Sequence, residues 1–238
     1  SKVKGSRPTV LGKFGKDIAL LVGDALLFKG FTLLHEAVEK GIPAEKVAVI
    51  INIIKNAFFE LGDAEALELQ FRGRIDVTPE EYLNVVRKKA ADVEAHTRIS
   101  AILGGGSKEE IEALGEYGRL LGIIITLRDD WIDMVDFEEI SHRIKKEHLS
   151  LPILYALRNL ETKSVLSPLV LKKRITKKDA EIILSVTNKA EGFQQTGKLM
   201  ETLTSSACYH VANLQRNDRF LQLLARAMLL SLNEWKIC

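Results

Sequence analysis

Signals for helix starts and helix stops recur along the whole chain and constrain its fold more than any other feature. Thr78 and Ser107 are each followed three residues later by a glutamate, Glu81 and Glu110, which is the capping-box pattern of a helix N-terminus. Glycine follows the ends of helical stretches, as at Gly104. No segment sustains the period of two that a half-buried strand requires. The sequence therefore predicts an all-α fold.

These signals divide the chain into helices of roughly two to seven turns. The expected helices cover residues 17–40, 43–61, a short segment ending near residue 73, 78–103 and 107–135, with later ones starting at residues 152, 176 and 217 and the last ending near residue 235. Residues 136–150 are rich in charge and are expected to form a loop or a frayed turn. We find no linker and no internal repeat, so residues 1–238 are predicted to form a single domain.

Two of the predicted helices, residues 44–61 and 108–127, are apolar on nearly every face. Helices of this kind lie at the centre of a bundle or in a subunit interface. We therefore expect the chain to form a homodimer or to pair with a different subunit.

Composition excludes several classes of protein. A formal net charge of +2 is too small for a nucleic-acid-binding face. Cys208 and Cys238 offer neither a disulfide framework nor a metal-binding spacing, as expected in a reducing compartment. The continuous apolar runs are shorter than a bilayer span, and no signal-peptide core follows the early lysines. The expected protein is cytoplasmic and has no transmembrane segment.

Three carboxylates follow the apolar stretch at residues 120–127. Asp129 and Asp133 are four residues apart on a helix, and Asp130 is also a neighbour of Asp133, so all three crowd one face. Like charges at this spacing repel each other, and burial of the preceding residues strengthens the repulsion. Mg²⁺ bound together with substrate phosphates would compensate them. The alternative is a solvated acidic turn at the exposed end of a buried helix.

Several other segments carry motifs in a fixed order. Residues 22–27 contain a Gly-Asp-x-Leu helix opening, and residues 151–157 open a Leu-Pro helix. Residues 78–83 begin a helix whose basic end is at residues 87–89. With residues 5–9 and 121–133, they resemble the trans-isoprenyl (polyprenyl) diphosphate synthase family over nearly the whole chain. The resemblance implies an isoprenoid synthase helical bundle and a magnesium-dependent transferase of isoprenoid biosynthesis. Such a prenyltransferase condenses an allylic diphosphate with isopentenyl diphosphate to give a longer trans-prenyl diphosphate.

The resemblance also implies roles for single residues. It makes Asp129, Asp130 and Asp133 the metal ligands, Lys89 a contact of the allylic diphosphate, and Thr126 a catalytic candidate where the family has glutamine. The further substrate-binding candidates are Lys4, which stands at the place of a family arginine for isopentenyl diphosphate, Arg7, Lys146 and His148.

Departures from the family pattern leave alternatives open. The sequence lacks the N-terminal helices that carry the first aspartate-rich motif, so we expect this chain alone to be incomplete for catalysis. Thr126 and His148 replace a glutamine and a lysine of the family. A non-catalytic partner subunit of a prenyl diphosphate synthase is therefore one alternative. Another class I enzyme that uses allylic diphosphates, such as a terpene synthase, is a second.

Overall fold

A computed structural model of the chain describes residues 2–4, 7–214 and 218–233. It divides the chain into two compact units, residues 1–52 and 53–238, which are treated separately below. The single domain expected from the sequence stays a prediction. The expected cap at Asn217, the helix end at Trp235, and Gly5 and Cys238 lie outside the described residues.

The first unit begins with a two-stranded antiparallel hairpin and continues as helices. Its elements are β1 (Val3–Lys4), β2 (Arg7–Pro8), α1 (Val10–Phe14), α2 (Lys16–Glu39) and the first part of α3 (Ala44–Phe71). α1 and α2 meet at Gly15, whose φ of +84° is a conformation that favours glycine. No residue of α2 is buried, and Phe28 on this helix is 73% exposed. Within the described residues of the first unit, α2 is thus a long apolar helix whose side chains are left exposed.

By length and composition alone, α2 is also apolar enough to cross a membrane, and it is the one such helix among the described residues. A single helix of this kind is weak evidence, because interface helices and core helices of soluble proteins have the same composition. It therefore does not overturn the expectation that the chain lacks a transmembrane segment.

The second unit is built from helices, so the all-α prediction is confirmed. After the C-terminal part of α3 it contains α4 (Pro79–Lys89), α5 (Ala91–Leu103), α6 (Lys108–Val135), α7 (Phe137–Lys146), α8 (Leu151–Ala156), α9 (Leu160–Val170), α10 (Lys177–Lys189), α11 (Gly192–Val211) and α12 (Asp218–Asn233). The capping boxes at Thr78, Ser107 and Thr176 are all formed, each with its reciprocal pair of hydrogen bonds.

α6 is the central helix of this unit and packs against α4, α5, α7, α8, α11 and α12. Ile124 and Leu127 on α6 are fully buried, as expected for a helix that is apolar all round. Gly122 allows the close approach of the junction between α4 and α5. A Cβ atom built at Gly122 would lie 2.8 Å from the Cβ atom of Ala90. This close packing fixes the end of α4, where Lys89 stands, against α6.

Three boundaries differ from the sequence predictions. α3 continues through Gly62 rather than stopping there, because a helix tolerates one exposed glycine at a cost of about 1 kcal/mol. The helix expected at 78–103 is divided at Ala90 into α4 and α5. The loop expected at 136–150 is wrong in its larger part, because residues 137–146 form α7. Asp136 caps this helix by accepting hydrogen bonds from two backbone N–H groups, and Ile140 and Ile144 bury one face of it.

Candidate functional site

The acidic segment occupies the last turns of α6, and its three carboxylates differ sharply in environment. Asp130 is fully buried; the Tyr82 hydroxyl donates to one of its oxygens and the Arg143 guanidinium donates to the other. An oxygen of Asp133 lies 2.7 Å from Nε of the same arginine. The side chain of Asp129 is 61% exposed and that of Asp133 27%. Asp130 is therefore an internal anchor, whereas Asp129 and Asp133 face outward.

Arg143 projects from α7 and supplies the positive charge at this segment. Burial alone would lower the pKa of Arg143, but the carboxylates of Asp130 and Asp133 raise it by more, so the guanidinium stays charged. Burial raises the pKa of Asp133, and the nearby Arg143 offsets only part of that rise. The sequence does not single out this arginine, because residues 136–150 are expected to form a loop. The spacing of Ile140 and Ile144 is nevertheless a helical signal from which α7 can be predicted.

Tyr82 on α4 connects the acidic segment to a second group of charges. Burial raises the pKa of the Tyr82 hydroxyl well above its usual value, and the neighbouring Asp130 raises it further. The phenol therefore stays protonated and donates to Asp130. On its other side, the ring of Tyr82 packs against the imidazole of His148, with centroids 5.1 Å apart.

Glu68 on α3 is the centre of this second group. His148 Nε2 lies 2.5 Å from one oxygen of Glu68, and Lys89 Nζ pairs with the other oxygen and lies 3.3 Å from Glu65. Burial raises the pKa of Glu68, but hydrogen bonds from His148 and Lys89 lower it by more, to about 2. Glu68 was not a candidate from the sequence, where it is one of several glutamates in a helix and its partners are at least 21 residues away.

An open cavity of about 260 Å³ lies between the two groups. Three cations, three carboxylates and one leucine line it: Arg72, Lys89, Arg143, Glu65, Glu68, Glu147 and Leu69. Its formal charge is thus balanced. Arg143 lines the cavity with Lys89 and bonds to Asp130 and Asp133, so it links the acidic segment to the cavity.

The remaining candidates take other positions. Thr126 stands one turn before Asp130 on α6, and its hydroxyl donates to the carbonyl of Gly122 at 3.0 Å. Lys146 is exposed on α7. Lys4 and Arg7 lie on the hairpin of the first unit, where they are paired in register. Within residues 53–238, the structure therefore brings Lys89, His148, Asp130 and Asp133 into one network. Asp129 stands outside it, 3.8 Å from Arg128.

The acidic segment fits a metal ion only in part. In the described parts of the chain, no three His, Cys, Asp or Glu side chains are grouped so that they could hold a metal ion by themselves. Mg²⁺, however, is commonly held by one or two carboxylates together with substrate phosphates. Asp129 and Asp133 fit that requirement because they share a helix face and remain partly exposed. Asp130 does not fit it, because both of its oxygens already accept charge-assisted or buried hydrogen bonds.

Comparison with known proteins identifies relatives over most of the chain. The family model for polyprenyl synthetase matches residues 1–187. The short chain isoprenyl diphosphate synthase of Methanothermobacter thermautotrophicus is 32% identical over 196 residues, which cover 80% of this chain and 54% of that protein. The geranylgeranyl diphosphate synthase of Methanosarcina mazei is 34% identical over 148 residues, or 62% of this chain and 45% of that protein. The chain thus spans about half the length of these relatives.

A solved structure agrees with this relationship. The crystal structure of geranylgeranyl pyrophosphate synthetase from Pyrococcus horikoshii superposes with a TM-score of 0.83 at 26% identity, covering 96% of this chain and 71% of that one. The expected isoprenoid synthase helical fold is therefore confirmed. The match of the family model over most of the chain, together with this fold, shows that the chain belongs to the polyprenyl synthetase family.

Proposed function

We propose that the protein to which this chain belongs is a cytoplasmic prenyltransferase that joins an allylic diphosphate to isopentenyl diphosphate. The observation that carries this proposal is the placement of Arg143. This arginine bonds to Asp130 and Asp133 and faces the cavity that Lys89 also lines. A diphosphate in the cavity would thus meet cations on one side and the acidic segment on the other.

Charge balance favours a metal-bound diphosphate over a bare one. Because three glutamates line the cavity with the three cations, a bare pyrophosphate would be repelled about as strongly as it is attracted. We propose that Asp129 and Asp133 hold Mg²⁺ at the edge of the site, with Asp130 as their buried support. Mg²⁺ held by these two residues would supply positive charge that stabilises the diphosphate as a leaving group.

The residues of the chain divide the remaining work. Lys89 binds a phosphate oxygen through its point charge while it remains paired with Glu68. His148 binds Glu68 and thereby keeps that carboxylate in place beside Lys89. Thr126 lies one turn before the acidic segment on the same helix, which supports its catalytic role as a proposal. For Lys4, Arg7 and Lys146, the support is the family resemblance of their segments.

A ligand-induced shift of the melting temperature tests the proposal. Mg²⁺ and pyrophosphate together should raise the melting temperature by roughly 5 to 10 °C at a hundredfold excess over the dissociation constant. The double substitution Asp129→Asn with Asp133→Asn should abolish the rise. Glu181→Gln with Glu201→Gln, two exposed carboxylates elsewhere, is the charge-matched control and should retain it. An equal rise in both double variants would remove the acidic segment from the site.

A second experiment tests the reaction itself. The full-length protein should convert the two substrates into a longer product, which is detected by mass spectrometry.

One observation supports a second candidate, a partner subunit without activity of its own. The charged groups of the site are already paired with one another, since Arg143 pairs with Asp130 and Asp133, and Glu68 pairs with Lys89 and His148. A subunit of this kind would be inactive alone and would change the product length of an active synthase when mixed with it. The same substrate assay, run with and without an active synthase, separates the two candidates.

Both candidates require assembly, and α2 supplies an apolar surface for it. Leu21 and Phe28 are seven residues apart, so they lie on one helix face, and both are well exposed. Extended apolar patches on the surface of a soluble protein normally mark an interface. We propose a homodimer, or a heterodimer with an active synthase, that buries this face. Light scattering should report a dimer, and Leu21→Ser with Phe28→Ser should convert it to a monomer. A wild-type monomer, or recovery in the membrane fraction, would contradict the proposal.

A further inference from the structure

The cation that faces the acidic segment is part of the protein itself. Arg143 Nη1 donates to Asp130, and Arg143 Nε lies 2.7 Å from Asp133. Across the described part of the second unit, no other arginine or lysine pairs with either aspartate. The side chain of Arg143 is only 16% exposed, so solvent screens these contacts weakly.

This geometry answers the charge problem that the sequence poses. Carboxylates crowded on one helix face repel each other, and a cation must compensate them. Arg143 provides part of that compensation without any bound ion, because its single positive charge contacts both Asp130 and Asp133. For a metal to reach Asp130, the hydrogen bonds from Tyr82 and Arg143 would have to break inside a buried site, where such bonds are strong.

We infer that Arg143 stands at this segment as a built-in cation, so that Asp130 is a structural residue and only Asp129 and Asp133 are open to metal. The inference rests on the proposed function in assuming that the segment receives a metal-bound diphosphate. It adds that a metal must compete with Arg143 for Asp133. Metal binding without diphosphate is therefore weak in the wild-type protein.

Replacement of the arginine provides the test, with Mn²⁺ alone as the probe. We measure free Mn²⁺ by electron paramagnetic resonance for the wild type and for Arg143→Gln. Loss of one positive charge within contact distance should strengthen Mn²⁺ binding by at least about tenfold. The control Arg158→Gln removes an exposed arginine that pairs with Glu80 and should bind Mn²⁺ as the wild type does. Equal Mn²⁺ affinity in the wild type and Arg143→Gln would overturn the inference.

Two more variants keep the test decisive. Arg143→Lys retains the charge and should keep the weak affinity of the wild type; a gain equal to that of Arg143→Gln would overturn the inference. Asp130→Asn with Arg143→Gln removes the buried pair as a neutral set, which protects folding. Its Mn²⁺ affinity should stay raised if Asp130 is structural and should return to the wild-type value if Asp130 is a ligand, which would overturn that part.

The outcome is separable from that of the proposed function. A wild-type protein that gains no stability from Mg²⁺ with pyrophosphate contradicts the function, while the Mn²⁺ comparison between variants still decides the role of Arg143. Conversely, the wild-type melting temperature could rise with Mg²⁺ and pyrophosphate while the wild type and Arg143→Gln bind Mn²⁺ equally. That result would support the function and overturn the inference.

Discussion

The ring of Tyr82 packs against the ring of His148, with centroids 5.1 Å apart and planes inclined at 46°. Its hydroxyl donates to Asp130 at the opposite end of the side chain. One residue of α4 therefore contacts both charged groups of the site: the group of Asp130 and Arg143, and the group of His148 and Glu68. A tyrosine suits this position because its body is apolar while its tip needs a hydrogen-bond partner.

Substitution Tyr82→Phe should test the polar half of this contact. The ring and its packing remain, but Asp130 loses one donor while it stays buried. Hydrogen bonds to charged groups contribute about 1.5 to 3 kcal/mol, and we expect a loss of that size in the free energy of unfolding, measured with urea. Tyr117→Phe is the matched control, because its hydroxyl donates to the neutral carbonyl of Leu221 at 2.9 Å. Its loss should be smaller, about 0.5 to 1.5 kcal/mol. Equal losses would show that Asp130 does not depend on Tyr82.

The sequence predicts those parts of the site that depend on residues close together in the chain, and not those that depend on contacts between distant segments. The crowding of Asp129, Asp130 and Asp133 is local, because helix geometry alone places residues three and four apart on one face. The sequence does not predict Arg143 as the partner of these aspartates, because the charged run after α6 indicates a loop and the structure has a helix there. Charge density outweighed the weaker helical spacing of Ile140 and Ile144 in that interpretation.

Glu68 shows a different limit. Lys89 is a candidate from the sequence, but its ion-pair partner Glu68 is 21 residues away on another helix, and His148 is further still. No local period connects these residues, so only the packing of the helices brings them together. The same holds at Ala90, where the predicted helix is divided and where Gly122 of α6 approaches closely, a contact that no local pattern reveals.

That close approach gives a second prediction, on stability. Gly122→Ala would place a Cβ atom 2.8 Å from the Cβ atom of Ala90, closer than any ordinary contact. Overpacking of a core typically costs about 1 to 3 kcal/mol, so the free energy of unfolding should fall by that amount. Gly62→Ala on α3 is the control, because no atom lies within 4 Å of its added Cβ. It should instead stabilise the protein by about 0.5 to 1 kcal/mol. Effects of the same sign would contradict the packing described for α6.

The pH dependence of stability gives a third prediction. Glu68 has a pKa of about 2 in the folded protein, against an ordinary value of 4.5. Between these values the unfolded chain binds more protons than the folded one, so stability falls as the pH drops from about 4.5 towards 2. Glu68→Gln should make this fall shallower in urea titrations at several pH values. Glu65→Gln, which removes a more exposed neighbour, should leave the slope nearly unchanged. An unchanged slope in Glu68→Gln would mean that His148 and Lys89 do not hold the carboxylate in solution.

Lys89 carries the last prediction, and the structure alters what is expected of it. A solvated lysine could be removed without changing the unligated protein, but Lys89 pairs with Glu68 and Glu65 in a partly buried site. Lys89→Ala should therefore lower the unligated melting temperature by a few degrees, as well as weaken binding of Mg²⁺ with pyrophosphate roughly ten- to a hundredfold. Lys88→Ala is the control. The amine of Lys88, the neighbouring residue, pairs with Asp63 at 2.5 Å and does not line the cavity. Calorimetry should show unchanged pyrophosphate affinity for Lys88→Ala. Equal weakening in the two variants would make the effect one of general charge, and Lys89 would then have no direct role at the diphosphate.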